Sequence, residues 1–252
     1  MNMYARTLSI AVLLTLVASF VLSPQTVHAQ RFSWPEKAEN LTALPANTSA
    51  QQLSSTMRAF TRSLGVRCSH CHVGNEGESL ATYDFASDEK PAKRIAREMI
   101  LMTRAINDTH LANSEASHTV NVTCTTCHRG VSRPYPIEKI IGNTLGEEGL
   151  SEAIEAYKSL RNTYYGSFAY DFTVGNLSRF ADGLISEDDQ GDGIAFHRLN
   201  TELYPESPQA WMGLAGGYEA AGDTLRAISL YEHALVLNPS NNRIVRALNG
   251  LK

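Results

Sequence analysis

Two Cys-x-x-Cys pairs are each followed directly by histidine, in CSHCH at 68–72 and CTTCH at 124–128, and these pentads hold all four cysteines of the chain. No other feature constrains the fold as much, because the rest of the chain must serve whatever joins two thiols to an imidazole. A disulfide framework would scatter its cysteines and would not place histidine after each pair. A redox dithiol would need one pair beside a βαβ pattern, which is absent. Zinc knuckles usually lie about 15–20 residues apart, far closer than Cys71 and Cys124. Haem attachment uses every group. Cys68 and Cys71, and again Cys124 and Cys127, add across the vinyl groups, and His72 and His128 are then held beneath the irons as proximal ligands. The expectation is two covalently bound c-type haems.

The amino terminus supplies an address for that chemistry. Arg6 precedes an apolar run from Leu8 to Leu22, and Val27, His28 and Ala29 follow. This is the charged, apolar and small-residue order of a signal peptide over 1–29. The run is short for a membrane span; an uncleaved anchor is the competing reading. Bacteria attach haem c outside the cytoplasm, so the expected location is the periplasm or the outer face of a bacterial membrane. The chain has 22 Lys and Arg against 26 Asp and Glu, which speaks against a nucleic-acid partner. Residues 51–133 are nearly balanced, whereas 147–252 carry eight basic and fifteen acidic side chains.

Residues 30–50 hold two prolines and no clear period, and read as an extended lead-in. A haem module follows over 51–133. Ser54 or Ser55 could cap a helix that stops at Gly65, with Met57, Phe60 and Leu64 on one face. A second helix should begin after Asp88 with Pro91 in its first turn, and Ile95, Met99, Met102 and Ile106 form its apolar stripe. Each pentad is thus preceded by a helix with methionine on its expected buried face. Such methionines are usually core, but beside a haem the thioether is a soft ligand suited to iron. Arg94, Arg97 and Arg104 could pair with haem carboxylates or remain solvated.

MRAFTRSLGVRCSHCHVG and MTRAIN…VTCTTCHRG resemble the cytochrome c subunit of photosynthetic reaction centres. The likeness covers roughly 35–135, with two helix–turn–CxxCH units where that family has four. It implies Met57 with His72 on one iron and Met102 with His128 on the other. Met99, one turn away, is a rival for Met102. One haem of the family borrows histidine from another unit, so His110 and His118 are rivals as well. The implied function is electron transfer, in the family to a photo-oxidised primary donor.

RPYP at 133–136 breaks regular structure, and 134–146 reads as a linker. From 147 to 252 the chain looks helical throughout. Residues 208–241 have the large, small and proline positions of a tetratricopeptide repeat in Trp211, Leu214, Tyr218, Ala227, Tyr231, Ala234 and Pro239. Pro205 lies one repeat earlier, so 174–207 reads as a degenerate copy, and 153–167 supplies another helix. DDQGDG at 188–193 reads as an inter-helix turn, since Leu199 stands where a calcium loop needs its last carboxylate. His197 and His233 read as repeat-packing or surface residues.

The expected fold is therefore mainly α, a multihaem c-type cytochrome module joined to a tetratricopeptide-like repeat domain. The leading function is an exported dihaem electron carrier, not an enzyme, whose repeats dock a redox protein partner, membrane-bound or free. The alternative is a dihaem enzyme such as a peroxidase, which would need an open iron and acid–base residues above it. No second motif supplies such a site.

Overall fold

The computed structural model describes residues 32–115, 120–186 and 189–252. The signal-peptide reading, 1–29, and His118 lie outside the described residues. Among these residues the chain is helical, with a single antiparallel bridge, Val73 with Asp84, in place of any strand. None of the described helices is long and apolar enough to cross a membrane.

The first helix, α1 (Ala50–Leu64), begins earlier than expected. Ser49, not Ser54 or Ser55, is its cap: the Gln52 amide donates to its hydroxyl, and the Gln52 side chain accepts from the Ser49 amide. This reciprocal box satisfies two donors that the helix cannot. Gly65 ends the helix in the left-handed region at φ 65°. The second helix, α2 (Pro91–Ala105), starts with Pro91 in its first turn and runs on into a π-helical turn, Ile106–Leu111. The lead-in has no regular structure, yet it is pinned to α2. Arg97 donates to the Asn40 carbonyl at 3.0 Å and Arg104 to the buried Ala43 carbonyl at 2.9 Å. The Asn40 amide donates to Ala86 at 2.7 Å, and Arg94 to Asp88 and Glu89. All three arginines donate to backbone carbonyls; Arg94 and Arg104 remain exposed, and Arg97 also pairs with Asp88 at 2.7 Å.

The second pentad is itself a short helix, α3 (Cys124–His128). Then follow α4 (Ile137–Glu148), α5 (Leu150–Tyr164), α6 (Val174–Ser186), α7 (Gln190–Leu203), α8 (Pro208–Ala220), α9 (Thr224–Leu237) and α10 (Asn242–Leu251). Short connections fold these into helical hairpins, α4 on α5, α6 on α7 and α8 on α9, with α10 laid against α9. The expected linker is corrected here: 137–148 is helix, and its Ile137 and Ile141 are 2% and 1% exposed in one core with Tyr157, Phe172, Leu177 and Phe196. Burying an isoleucine contributes roughly 1.5–3 kcal/mol, so α4 belongs to the helical unit. DDQGDG is corrected likewise, since 190–193 is the first turn of α7.

A second core joins α8, α9 and α10 through Ala215, Ala227, Tyr231, Ala234, Ile244 and Leu248. Ala227 and Ala234 are fully buried, as small residues must be where two helices meet closely. Trp211 packs partly buried at its edge, donates to the Pro205 carbonyl, and meets His233 with ring centres 4.3 Å apart. His197 is fully buried, with Nε2 bonded to Asp182 at 2.9 Å.

Candidate haem-attachment sites

Each pentad sits on a tight helical turn, and the turn makes its two thiols neighbours. In the first, Cys68–His70 is a single 3-10 turn in which the Cys71 and His72 amides both bond the Cys68 carbonyl, at 3.2 and 3.0 Å. In the second, the Thr126 hydroxyl accepts from the Thr123 amide at 3.0 Å and fixes the start of α3. All four thiols are free. Burial raises the pKa of Cys71 and of Cys124, which is the reverse of the activation a redox dithiol needs.

The two histidines are held differently. His128 Nδ1 lies 2.9 Å from the Val131 carbonyl. A carbonyl can only accept, so Nδ1 carries the proton and Nε2 keeps its lone pair for a ligand. His72 is wedged edge-on against Phe85, ring centres 4.9 Å apart, and its Nδ1 is buried without a hydrogen-bond partner. Burial lowers its pKa, Lys93 lowers it further, and the Phe85 carbonyl draws weakly the other way. Phe85 also touches Phe32, which touches Trp34, so an aromatic row leads from His72 into the lead-in.

Contacts between the units are crossed. The second pentad packs on the end of α1: the Gly130 amide donates to the Ser63 carbonyl at 2.8 Å, and Ser63 and Thr125 hydroxyls are 2.7 Å apart. Gly65 is required there, because a Cβ would stand 2.0 Å from the Gly130 oxygen. The first pentad is held by the start of α2. Lys90 donates its ammonium to the Ser69 carbonyl. Lys93, 11% exposed, donates to the carbonyls of Phe85, Ala86 and Ser87 at 3.0, 3.0 and 2.7 Å and pairs with Asp88 at 3.1 Å. Sequence reasoning missed both lysines. A signal existed, since a cation in the first turn of a helix opposes the macrodipole and needs a compensating partner.

Met57 and Met99 are half-buried, on α1 and α2. The buried face expected for the α2 stripe is not buried by polypeptide: Ile95 and Met102 are 54% and 47% exposed, with Leu101 and Val120 also open. His110 is exposed in the π-helical turn. Apolar side chains left open on α2 and at Val120, and a buried histidine Nδ1 without a hydrogen bond, fit a large apolar group that polypeptide does not provide. The residues present fit haem c.

Residues 76–171 match the sequence profile of a family described as photosynthetic reaction centre cytochrome C subunit. The match holds the second pentad and continues to α5, but it starts just past His72. Cytochrome c-554 of Chloroflexus aurantiacus is 34% identical over 89 residues, 35% of this chain and 20% of that protein. The chain thus spans about a fifth of the length of that curated relative. Among solved structures, the first TPR domain of human RPAP3 is 15% identical, covering 46% of this chain and 86% of that one, with a TM-score of 0.32. The Sgt2 TPR domain of Aspergillus fumigatus is 16% identical over 46% and 74%, also at 0.32. At these scores the structural matches add nothing to the hairpins already described. Through residues 76–171 the chain resembles the c-type cytochrome subunit of photosynthetic reaction centres, an electron-carrier family that implies covalently bound haem c, and helical hairpins continue beyond this stretch to the end of the described residues.

Proposed function

We propose that this chain is an exported dihaem c-type cytochrome that passes electrons to a redox protein partner, with the helical hairpins as its docking domain. The observation that carries the reading is the duplicated turn: two free thiols and a histidine, twice, with no cysteine left over. Cys68 and Cys71 hold one haem and Cys124 and Cys127 the other. His72 and His128 are the proximal ligands, and Met57 and Met102 the distal ones, with Met99 and His110 as rivals for Met102. Haem bound there supplies one-electron exchange between ferric and ferrous iron. The Val131 carbonyl keeps the His128 ring in one tautomer and one orientation. Phe85 fixes the plane of His72. Re-reduction of a photo-oxidised primary donor, the family's role, is the form this transfer would take in a photosynthetic cell.

Absorption spectra of the matured chain test the carrier against an enzyme. Both irons should be six-coordinate and low-spin, and the oxidised protein should show the methionine–iron charge-transfer band. Met57→Ala should remove one site's share of that band and Met102→Ala the other's. High-spin iron with rapid peroxide turnover would replace the carrier by a peroxidase.

A further inference from the structure

The two attachment sites differ in charge and in how the proximal histidine is bonded, and both differences act in one direction. We infer that Lys90 and Lys93 set the first site, at Cys68–His72, to the higher reduction potential of the two, so that the half-reduced protein keeps its electron there. The inference rests on the two-haem reading above.

An iron gains a positive charge on oxidation, so a fixed cation nearby disfavours the oxidised state and raises the potential. At the first site the cations are fixed. The Lys90 ammonium lies on the Ser69 carbonyl, inside the pentad. The Lys93 ammonium is caged by three consecutive carbonyls that begin at Phe85, the residue whose ring touches His72. Asp88 offsets part of this charge, but it is shared between Lys93 and Arg97, at 3.1 and 2.7 Å. Glu76 offsets more, accepting from the Ser69 hydroxyl at 3.1 Å. Asp84 offsets part as well, accepting from the Ala86 and Ser87 amides at 3.0 and 2.9 Å, but the charges that act on the His72 ring are those of Lys93, Lys90 and Arg97. Both lysines also act on the Cys71 thiol and the His72 ring.

The second pentad is held by neutral groups. Ser63 bonds Thr125, Thr126 bonds Thr123, and Asn107 bonds both the amide and the carbonyl of Val122. Its adjacent cation, Arg129, is exposed and turned toward the Phe168 carbonyl at 3.5 Å. A proximal histidine whose Nδ1 donates to a carbonyl is a stronger base toward iron and favours the oxidised state. His128 makes that bond in full, whereas at His72 the Phe85 carbonyl draws on the ring without closing a hydrogen bond to Nδ1. Charge and ligand basicity therefore both place the first site above the second.

Spectroelectrochemical titration of the matured full-length chain tests the ordering. Wild type should give two one-electron components. A C68A/C71A chain should keep only the lower, and a C124A/C127A chain only the higher. Lys93→Gln should lower the upper component and leave the other in place, Asp88→Asn should raise that same component, and Lys90→Gln serves where Lys93→Gln does not fold. Opposite shifts from the lysine and aspartate variants cannot come from loosened packing alone. The inference is overturned if C68A/C71A retains the higher component, or if the lysine variants move neither or both alike. If C68A/C71A carries as much haem as wild type, it is the two-haem reading that fails.

Discussion

Gly65 shows how closely single residues bind the two attachment sites together. It sits at φ 65°, and its missing Cβ leaves room for the Gly130 carbonyl two residues past His128. Gly65→Ala should cost at least ~1–3 kcal/mol from backbone strain, with the clash added, and thermal unfolding of the haem-loaded chain should show it. Loss at the second site before the first would trace the damage to the α1–α3 contact. Asp88 works at the opposite edge. Hydrogen bonds from Arg97 first, then Asn40 and Lys93, hold its carboxyl well below the usual carboxylate range. A depressed folded pKa gives stability that is present above the unfolded value near ~3.9 and lost as pH falls through the folded one. The lead-in, 32–49, should therefore stay docked at pH 4 and release only well below it. Hydrogen exchange of that segment checks this; release centred on pH 4 would mean that Asp88 is not so held.

At the scale of elements, chemistry written in consecutive residues was legible and packing between distant ones was not. The pentads and the Pro91 start of α2 were readable because covalent attachment and a missing amide act within a few residues. The Ser49–Gln52 box is equally local, but it lies at the edge of a proline-bearing stretch without a period, where a helix start carries no apolar pattern before it. The Ser63–Thr125 contact spans 62 positions and carries no local mark. For α4, Ile137, Ile141 and Leu145 do recur at helical spacing, but Gly142 and Gly146 weaken helix propensity and RPYP just before it breaks regular structure. Ile141→Ala decides the matter. As a core residue it should cost about 2–5 kcal/mol, whereas a linker residue would cost within ~0.5 kcal/mol, read from chemical denaturation. In the repeats, Gly213→Ala would drive a Cβ to 2.5 Å from Nδ1 of the buried His197. Overpacking of this kind costs roughly 1–3 kcal/mol, and the haem spectrum should not change while the helical unit melts earlier.

Across the whole molecule, the cytochrome stretch and the helical unit meet at a cleft of about 310 Å³, walled by Leu64, Val66 and Val131 on one side and Ile140, Tyr164 and Tyr170 on the other. Because α4 is part of the helical core, the clean cut is after Pro136. A chain ending there should still take up haem at both pentads but melt earlier than full length. Failure to take up haem would mean that the halves fold as one. The central claim is that each pentad holds one haem. Intact mass of the matured, unfolded full-length chain tests it most directly, read beside the C68A/C71A and C124A/C127A variants. The account predicts a gain of two haem masses for the parent and one for each variant, surviving acid–acetone extraction. A parent with one haem or none, or a colourless protein holding stoichiometric zinc, would contradict it.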